Sequence, residues 1–285
     1  MRIIESINEM REYSQQLKRN GKIIASVDTD AELHEGHMSL VKIAKENGDV
    51  VILMIDFEIE FFSLDSEQYD EMYEIYEDDD LKKDIELCKK HGVDIFFAPS
   101  MSDMYGDTVT KITLSNPFVE DVILKRNNLV IAPGHMVSYI KEFNILIPDV
   151  IVLGQKDIYQ TLSTIAMIKD FNFSVKPIIA PIIRESDGVA CSSRNLLLSK
   201  SERQNATSVY QVLHEISRWS SYPSVEKIKG HIINRITNAN GEIDYIQICC
   251  FKTLKSLDVL DRKAIIIINA FFDEIEAGDN IIIEL

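Results

Sequence analysis

Lys22-Ile23-Ile24-Ala25-Ser26-Val27, then Asp28-Thr29-Asp30-Ala31-Glu32, then Leu33-His34-Glu35-Gly36-His37 is the stretch from which the fold can be read. Its first six residues have the composition of a short buried strand. From about Met38, the apolar residues Leu40, Val41, Ile43 and Ala44 fall at helical spacing and run to Asn47-Gly48, where glycine suits a C-cap. The order is strand, histidine-containing turn, helix. Such a turn presents backbone N–H groups and two imidazoles at the positive end of a helix, a natural seat for phosphate. A polar turn without a ligand is the other reading of so short a motif, and the rest of the chain has to decide between them.

Outward from this unit, strand and helix keep alternating. Val50-Val51-Ile52-Leu53-Met54-Ile55 is a nearly unbroken β-type run, as expected of a parallel strand covered on both faces. Leu81 to Lys90 is helical and closes at His91-Gly92, and Val93 to Ala98 is the next strand. Pro133-Gly134-His135 opens a helix through Tyr139, Phe143 and Leu146. The strand Asp149 to Leu153 runs into Gly154-Gln155-Lys156-Asp157, a helix spans Ile158 to Phe171, and Val175 to Ile183 is a strand interrupted by Pro177 and Pro181. Upstream, Ile3, Ile7, Met10, Tyr13 and Leu17 suggest an opening amphipathic helix. This order predicts an α/β fold with a doubly wound parallel sheet, which binds ligands past the C-terminal ends of its strands. A boundary is placed near residue 184, dividing the chain into 1–183 and 184–285. The second part reads as a smaller α+β domain, with helices at 201–219 and 225–237 and strands at 245–250, 264–270 and 281–284.

Composition narrows the function. The 285 residues carry a formal charge of −16, with a sequence pI near 4.8 and mean hydropathy −0.03. That balance argues against a broad nucleic-acid or anionic-membrane surface, which needs clustered Lys and Arg, but it leaves room for a small phosphorylated ligand. No apolar run is long enough for a membrane span and the first twenty residues lack a signal-peptide core, so a cytoplasmic protein is expected. The four cysteines, Cys88, Cys191, Cys249 and Cys250, show no metal-ligand spacing and read as reduced thiols. The acidic stretch from Ser63 to Asp80 contains no Lys or Arg and is read as a solvated surface rather than a metal site.

Three polar groups stand at strand ends or at the boundary: His34 with His37, Lys156 with Asp157, and Ser192, Ser193 and Arg194. A triphosphate under attack needs cations and hydrogen-bond donors where charge gathers on its oxygens, and these residue types supply both. In order and spacing, the chain resembles the pantothenate synthetase (pantoate–β-alanine ligase) family of the His-x-Gly-His nucleotidyltransferase superfamily. The resemblance runs through Leu33–Val41, Pro133-Gly134-His135, Gly154–Asp157 with Gln160, Arg184-Glu185-Ser186-Asp187-Gly188, Ser192-Ser193-Arg194-Asn195, and Tyr245–Ile248 with Asp279-Asn280.

The resemblance implies a Rossmann-like nucleotide-binding domain and a C-terminal lid. It implies an ATP- and Mg²⁺-dependent ligase that makes an acyl adenylate and passes the acyl group to an amine. His34, His37, Lys156 and Arg194 would be catalytic, with His37 a candidate proton donor. Gly154 and Asp157 would hold the ribose, Ile183 and Cys191 would lie near the adenine, and Lys156, Ser192, Ser193 and Arg194 would grip the phosphates. A homodimer is implied as well.

The acid-substrate side departs from the family pattern. Asp28-Thr29-Asp30-Ala31-Glu32 replaces Pro-Thr-Met-Gly-Ala, and Phe57 and Glu60 stand where the family has Asn and a pantoate-binding Gln. Ala132 replaces an Arg, while Gln160, the second expected pantoate contact, is kept. An ionised Glu accepts hydrogen bonds but cannot donate them, and it repels a carboxylate. A pocket of Asp30, Phe57, Glu60 and Gln160 would therefore favour an acid that bears an amine. The expected function is therefore an ATP-dependent amide ligase with a changed acid substrate; the alternatives are an authentic pantothenate synthetase, in which a protonated Glu60 mimics Gln, and a nucleotide-binding homologue without turnover.

Overall fold

The computed structural model describes residues 1–29, 32–55, 80–105, 133–253 and 255–285. They form two compact units, Met1–Pro181 and Ile182–Leu285. In the first, strands β1 (Arg2–Ile4), β2 (Ile24–Thr29), β3 (Val50–Ile55), β4 (Ile95–Phe97), β5 (Val150–Gly154) and β6 (Lys176–Ala180) make a sheet in the order β1-β4-β3-β2-β5-β6. Every neighbouring pair is parallel. The helices are α1 (Ile7–Arg19), α2 (Glu35–Asn47), α3 (Asp80–His91), α4 (Met101–Tyr105), α5 (Pro133–Leu146) and α6 (Ile158–Asp170). The predicted α/β, doubly wound parallel sheet is what the chain forms.

Both faces of the sheet are covered, which explains the unbroken apolar run in β3. Val51, Leu53 and Ile55 pack under α2 and α3 with Val41, Ala44 and Cys88. Ile52 and Met54 face the other way, toward Met10 and Leu17 of α1 and Leu146 of α5. Each such side chain, fully buried, contributes about 1.5–3 kcal/mol. At the chain start, the expected helix from Ile3 gives way to β1, which pairs with β4. Ser6 is the reason: as N-cap, its hydroxyl accepts the Glu9 N–H and starts the helix at Ile7.

One device closes the N-terminal edge of the sheet. Asp49, Asp94 and Asp149 each stand just before a strand and accept an N–H from the adjacent one, from Ile23, Val51 and Ile24 respectively, each at 2.9 Å. Lys18 of α1 also pairs with Asp149. Gly48 sits in the same edge. Its backbone is extended rather than left-handed, so it is no αL cap. A Cβ there would lie 2.7 Å from the Ala25 Cβ, and close approach to β2 is what requires glycine.

The second unit has an antiparallel sheet of β7 (Glu242–Cys250), β8 (Ala264–Phe272) and β9 (Ile275–Ile283), in the order β7-β8-β9. Helices α7 (Lys200–Ser217) and α8 (Val225–Asn238) pack Val212, Leu213, Ile228 and Ile232 onto Ile266 and Ile268 of the central strand. Strand β9 starts well before the expected 281–284, because Glu276, Asp279 and Asn280 break the apolar pattern while still pairing with β8. Among the described residues, no helix is long and apolar enough to cross a membrane.

Replacing Gly48 by Ala is expected to destabilise the protein by about 1–3 kcal/mol, since neither the Ala25 methyl nor its backbone can yield cheaply. Urea denaturation of the purified chain reads this directly, and an unchanged midpoint would refute the packing argument.

Candidate active site

From β2 the chain builds β3 and β4 on one side, then crosses back to lay β5 and β6 on the other. The junction of β2 and β5 is thus the topological switch point, where the connecting segments diverge and leave room for a ligand. Both strands deliver polar segments there, His34–His37 after β2 and Gln155–Asp157 after β5.

Helix α2 begins at Glu35, a full turn before the apolar periodicity predicts, because the two histidines cap it. His34 is the N-cap, in extended conformation. Gly36 N–H donates to its Nδ1 at 3.1 Å, and His34 N–H donates to His37 Nδ1 at 3.3 Å. A ring nitrogen that accepts a hydrogen bond carries no proton, so each neutral imidazole holds its proton on Nε2. The rings stack with centroids 4.0 Å apart and 21° between planes. Two N–H donors are thereby fixed at the positive end of a helix.

His37 keeps the neutral form. Burial, then the neighbouring His34 and Lys156, lower its pKa from 6.5 to about 3, against a smaller opposing pull from Asp157. In this arrangement His37 offers a hydrogen bond through its Nε2–H at neutral pH. The positive charge beside it belongs to Lys156, whose Nζ lies 3.3 Å from the Asp157 carboxylate. Asp157 is the N-cap residue of α6, yet its side chain caps nothing and remains largely exposed. Gly154 closes β5, and its carbonyl accepts the Thr161 hydroxyl at 2.6 Å. A Cβ at Gly154 would meet nothing within 4 Å, so open space lies on that side. Gln160 is half-buried in the first turn of α6, its backbone carbonyl accepting the Thr164 hydroxyl at 2.9 Å.

Thr29 escapes a reading of the sequence except as part of a quoted block. It ends β2, is 7% exposed, and its hydroxyl has no hydrogen-bond partner among the described residues. An unpaired buried hydroxyl costs about 1–3 kcal/mol, and here it stands at the C-terminal end of the central strand. Asp30, Phe57 and Glu60 lie outside the described residues.

In the second unit, Cys191 N–H donates to the Ile183 carbonyl at 2.9 Å, closing a hairpin that leads into Ser192 and a 3-10 helix, Ser193–Leu197. Arg184 holds that hairpin to β9 by a two-pronged pair with Asp279, at 2.7 and 3.1 Å. Its guanidinium also lies 4.7 Å from the centre of the Tyr210 ring. Arg203 of α7 grips Asp187 through two bonds of 2.8 Å. Asn195 ties the exit of the hairpin to Glu185 and to the Ala190 carbonyl. Gly188 is required at the tip: its φ is +92°, and a Cβ would fall 2.1 Å from Tyr210. Arg194, half exposed, pairs with Glu276 at 3.1 Å. Of the sequence-derived residues, the structure thus groups His34, His37, Lys156 and Asp157 in one unit, and Ile183, Cys191, Ser192 and Arg194 on one framed segment of the other.

Two measurements check this geometry. In an NMR titration, His37 is expected to stay neutral down to about pH 4; a transition between pH 6 and 7 would overturn the assignment. Because its folded pKa is depressed, the unfolded chain takes up the proton first, so His37 contributes full stability above about pH 6.5 and loses it progressively toward about pH 3. Thr29→Val, which replaces an unpaired hydroxyl by a methyl, is expected to raise the melting temperature by a few degrees, on the order of 1 kcal/mol. A lowered melting temperature would mean that the hydroxyl is bonded after all.

The family model described as Pantoate-beta-alanine ligase matches residues 2–282. The pantothenate synthetase of Thermotoga petrophila is 35% identical over 99% of this chain and 100% of its own length. That of Acetivibrio thermocellus is 34% identical, with both chains covered entirely. Among solved structures, pantothenate synthetase from Thermus thermophilus superposes with a TM-score of 0.83 at 25% identity, covering 99% of each chain. Pantoate-beta-alanine ligase from Francisella tularensis, complexed with beta-gamma ATP and beta-alanine, gives 0.76 at 26% identity, covering 99% of this chain and 97% of its own. With its histidine-capped helix at the switch point of a doubly wound sheet and its kinship over the full length, the chain belongs to the pantoate–β-alanine ligase family of ATP-dependent ligases.

Proposed function

We propose that this chain joins pantoate to β-alanine with ATP, through a pantoyl adenylate. The observation that carries this is the His34–His37 pair, locked as Nε2–H donors beside Lys156 in a chain whose full-length relatives are named pantothenate synthetase. A carboxylate oxygen of the acid attacks the α-phosphorus of ATP while the bond to the pyrophosphate oxygen breaks. The amine nitrogen then attacks the acyl carbon, loses a proton, and AMP leaves with the bonding electrons.

In this reading His34 and His37 stabilise charge that builds on the phosphate oxygens, and their fixed orientation means that nothing has to reorganise during the step. Lys156 adds a point charge. Gly154 leaves room for the ribose, and Asp157 accepts its hydroxyls. Ile183 and Cys191 lie along the adenine, while Ser192, Ser193 and Arg194 grip the phosphates, Arg194 exchanging Glu276 for a phosphate oxygen. Thr29 offers its unpaired hydroxyl to the bound acid. Mg²⁺ would enter with ATP in this reading and supply charge neutralisation on the phosphates. The family kinship also supports a homodimer in the cytoplasm, which light scattering and fractionation read out.

A second reading has its own observation: Asp30 and Glu60 make the expected acid pocket more acidic than the family pattern, which favours an acid bearing an ammonium group. Pyrophosphate release with ATP, Mg²⁺ and a panel of acids separates the two. Release with pantoate, and pantothenate formation once β-alanine is added, is the expected result. Release only with an amine-bearing acid would replace pantoate, and no release with any acid together with no ATP binding would sink both. Lys156→Met is expected to lower the rate of release by about a hundredfold or more with the fold intact.

A further inference from the structure

The chain enters the histidine turn through an unfavourable conformation. Glu32 has φ 60°, in the left-handed region that residues with a side chain seldom occupy unless their surroundings hold them there. On the far side of Glu32, Leu33 N–H donates to Asp84 Oδ1 at 2.9 Å, across 51 residues of sequence. Asp84 is only 3% exposed. It lies on the inner stripe of α3 with Leu81, Ile85 and Cys88, which pack against the main core. A carboxylate is costly in such a place unless it is bonded, so its occupation of a core position calls for a reason. The amide that it binds belongs to the residue immediately before the N-cap, and the entry angle of the chain at that point decides whether capping bonds can form.

We propose that Asp84 is a positioning residue for the nucleotide site: it pins the Leu33 amide, and through it holds His34 and His37 on the backbone bonds that fix their Nε2–H tautomers. Asp84 touches no substrate and acts through the imidazoles. The inference rests on the phosphate role proposed for those two histidines. The acceptor oxygen is the operative feature, so Asp84→Asn, which retains a carbonyl oxygen, should preserve the arrangement, whereas Asp84→Val leaves the Leu33 amide buried and unpaired.

The test is ¹⁵N NMR of the histidine rings in the full-length chain, with ATP affinity measured by calorimetry. Wild type and Asp84→Asn are expected to show one Nε2–H tautomer at both His34 and His37. In Asp84→Val the tautomers should mix, and ATP should bind about tenfold more weakly. A folded Asp84→Val with wild-type tautomers and affinity would overturn the proposal, and so would an Asp84→Asn that behaves like Asp84→Val. Should Asp84→Val fail to fold, amide exchange in the unaltered protein decides: strong protection of Leu33 N–H supports the pin, and exchange at the rate of an open loop refutes it. The tautomers and the exchange rate need no turnover, so they stand or fall independently of whether pantoate is the acid.

Discussion

The capping of α2 by two imidazoles is the interaction on which the site depends. A helix start leaves backbone N–H groups without partners, and the usual remedy is an oxygen from Ser, Thr, Asp or Asn. Here ring nitrogens take that place, Nδ1 of His34 and Nδ1 of His37. Structural need and the proposed chemical use then fall on opposite nitrogens of the same rings. Local folding occupies Nδ1, and that alone decides that Nε2 bears the hydrogen. The depressed pKa of His37 follows from the same placement, since a ring half-sunk at a helix N-terminus beside a lysine has every reason to stay uncharged. A comparable division of labour runs through the sheet, where the N-terminal edge is closed by Asp49, Asp94 and Asp149 while the other edge is left to chemistry.

The segment carrying Arg194 follows a different principle. Its apolar anchoring is confined to Val189 and Ala190 in the hairpin, while Leu196 and Leu197 are 87% and 68% exposed. Charged forks hold it in place. Arg184 on Asp279 and Arg203 on Asp187 are paired through two bonds each, and a planar guanidinium bound this way resists rotation as well as displacement. The glycine at 188 completes the frame by letting the Tyr210 ring press against the hairpin.

Much of the fold is legible in the sequence because its periodicities are strong. Val50–Ile55 has to be a doubly covered strand, and its alternate residues do face two different helical layers. What escapes is decided by single polar atoms. Ser6 begins a helix that hydrophobic spacing would start at Ile3, and Glu276, Asp279 and Asn280 disguise most of β9. Gly48 has the position of a helix cap, although close packing on Ala25 is what demands it. In the candidate site, the residue types of the proposed phosphate cluster are visible, but the helix start at His34 is not, since histidine is no ordinary cap. Asp84 does leave a trace, a carboxylate on the apolar stripe of Leu81, Ile85 and Cys88. Thr29 leaves none beyond its place at the end of a central strand.

The strand order has a consequence for how the protein acquires its site. β2 meets β3 after one short helix, but its other neighbour, β5, comes far later, and the bond from Ile24 to Asp149 joins residues 125 apart in the chain. Closing so long a loop is entropically unfavourable until many contacts reward it, and parallel pairings of this kind form slowly. During synthesis, the histidine-capped helix can assemble on β2 and β3 while the open flank of β2 still waits for Lys156 and its strand. The proposed nucleotide site is therefore among the last parts of the first unit to become complete, and until then an unpaired central strand edge is exposed to wrong partners.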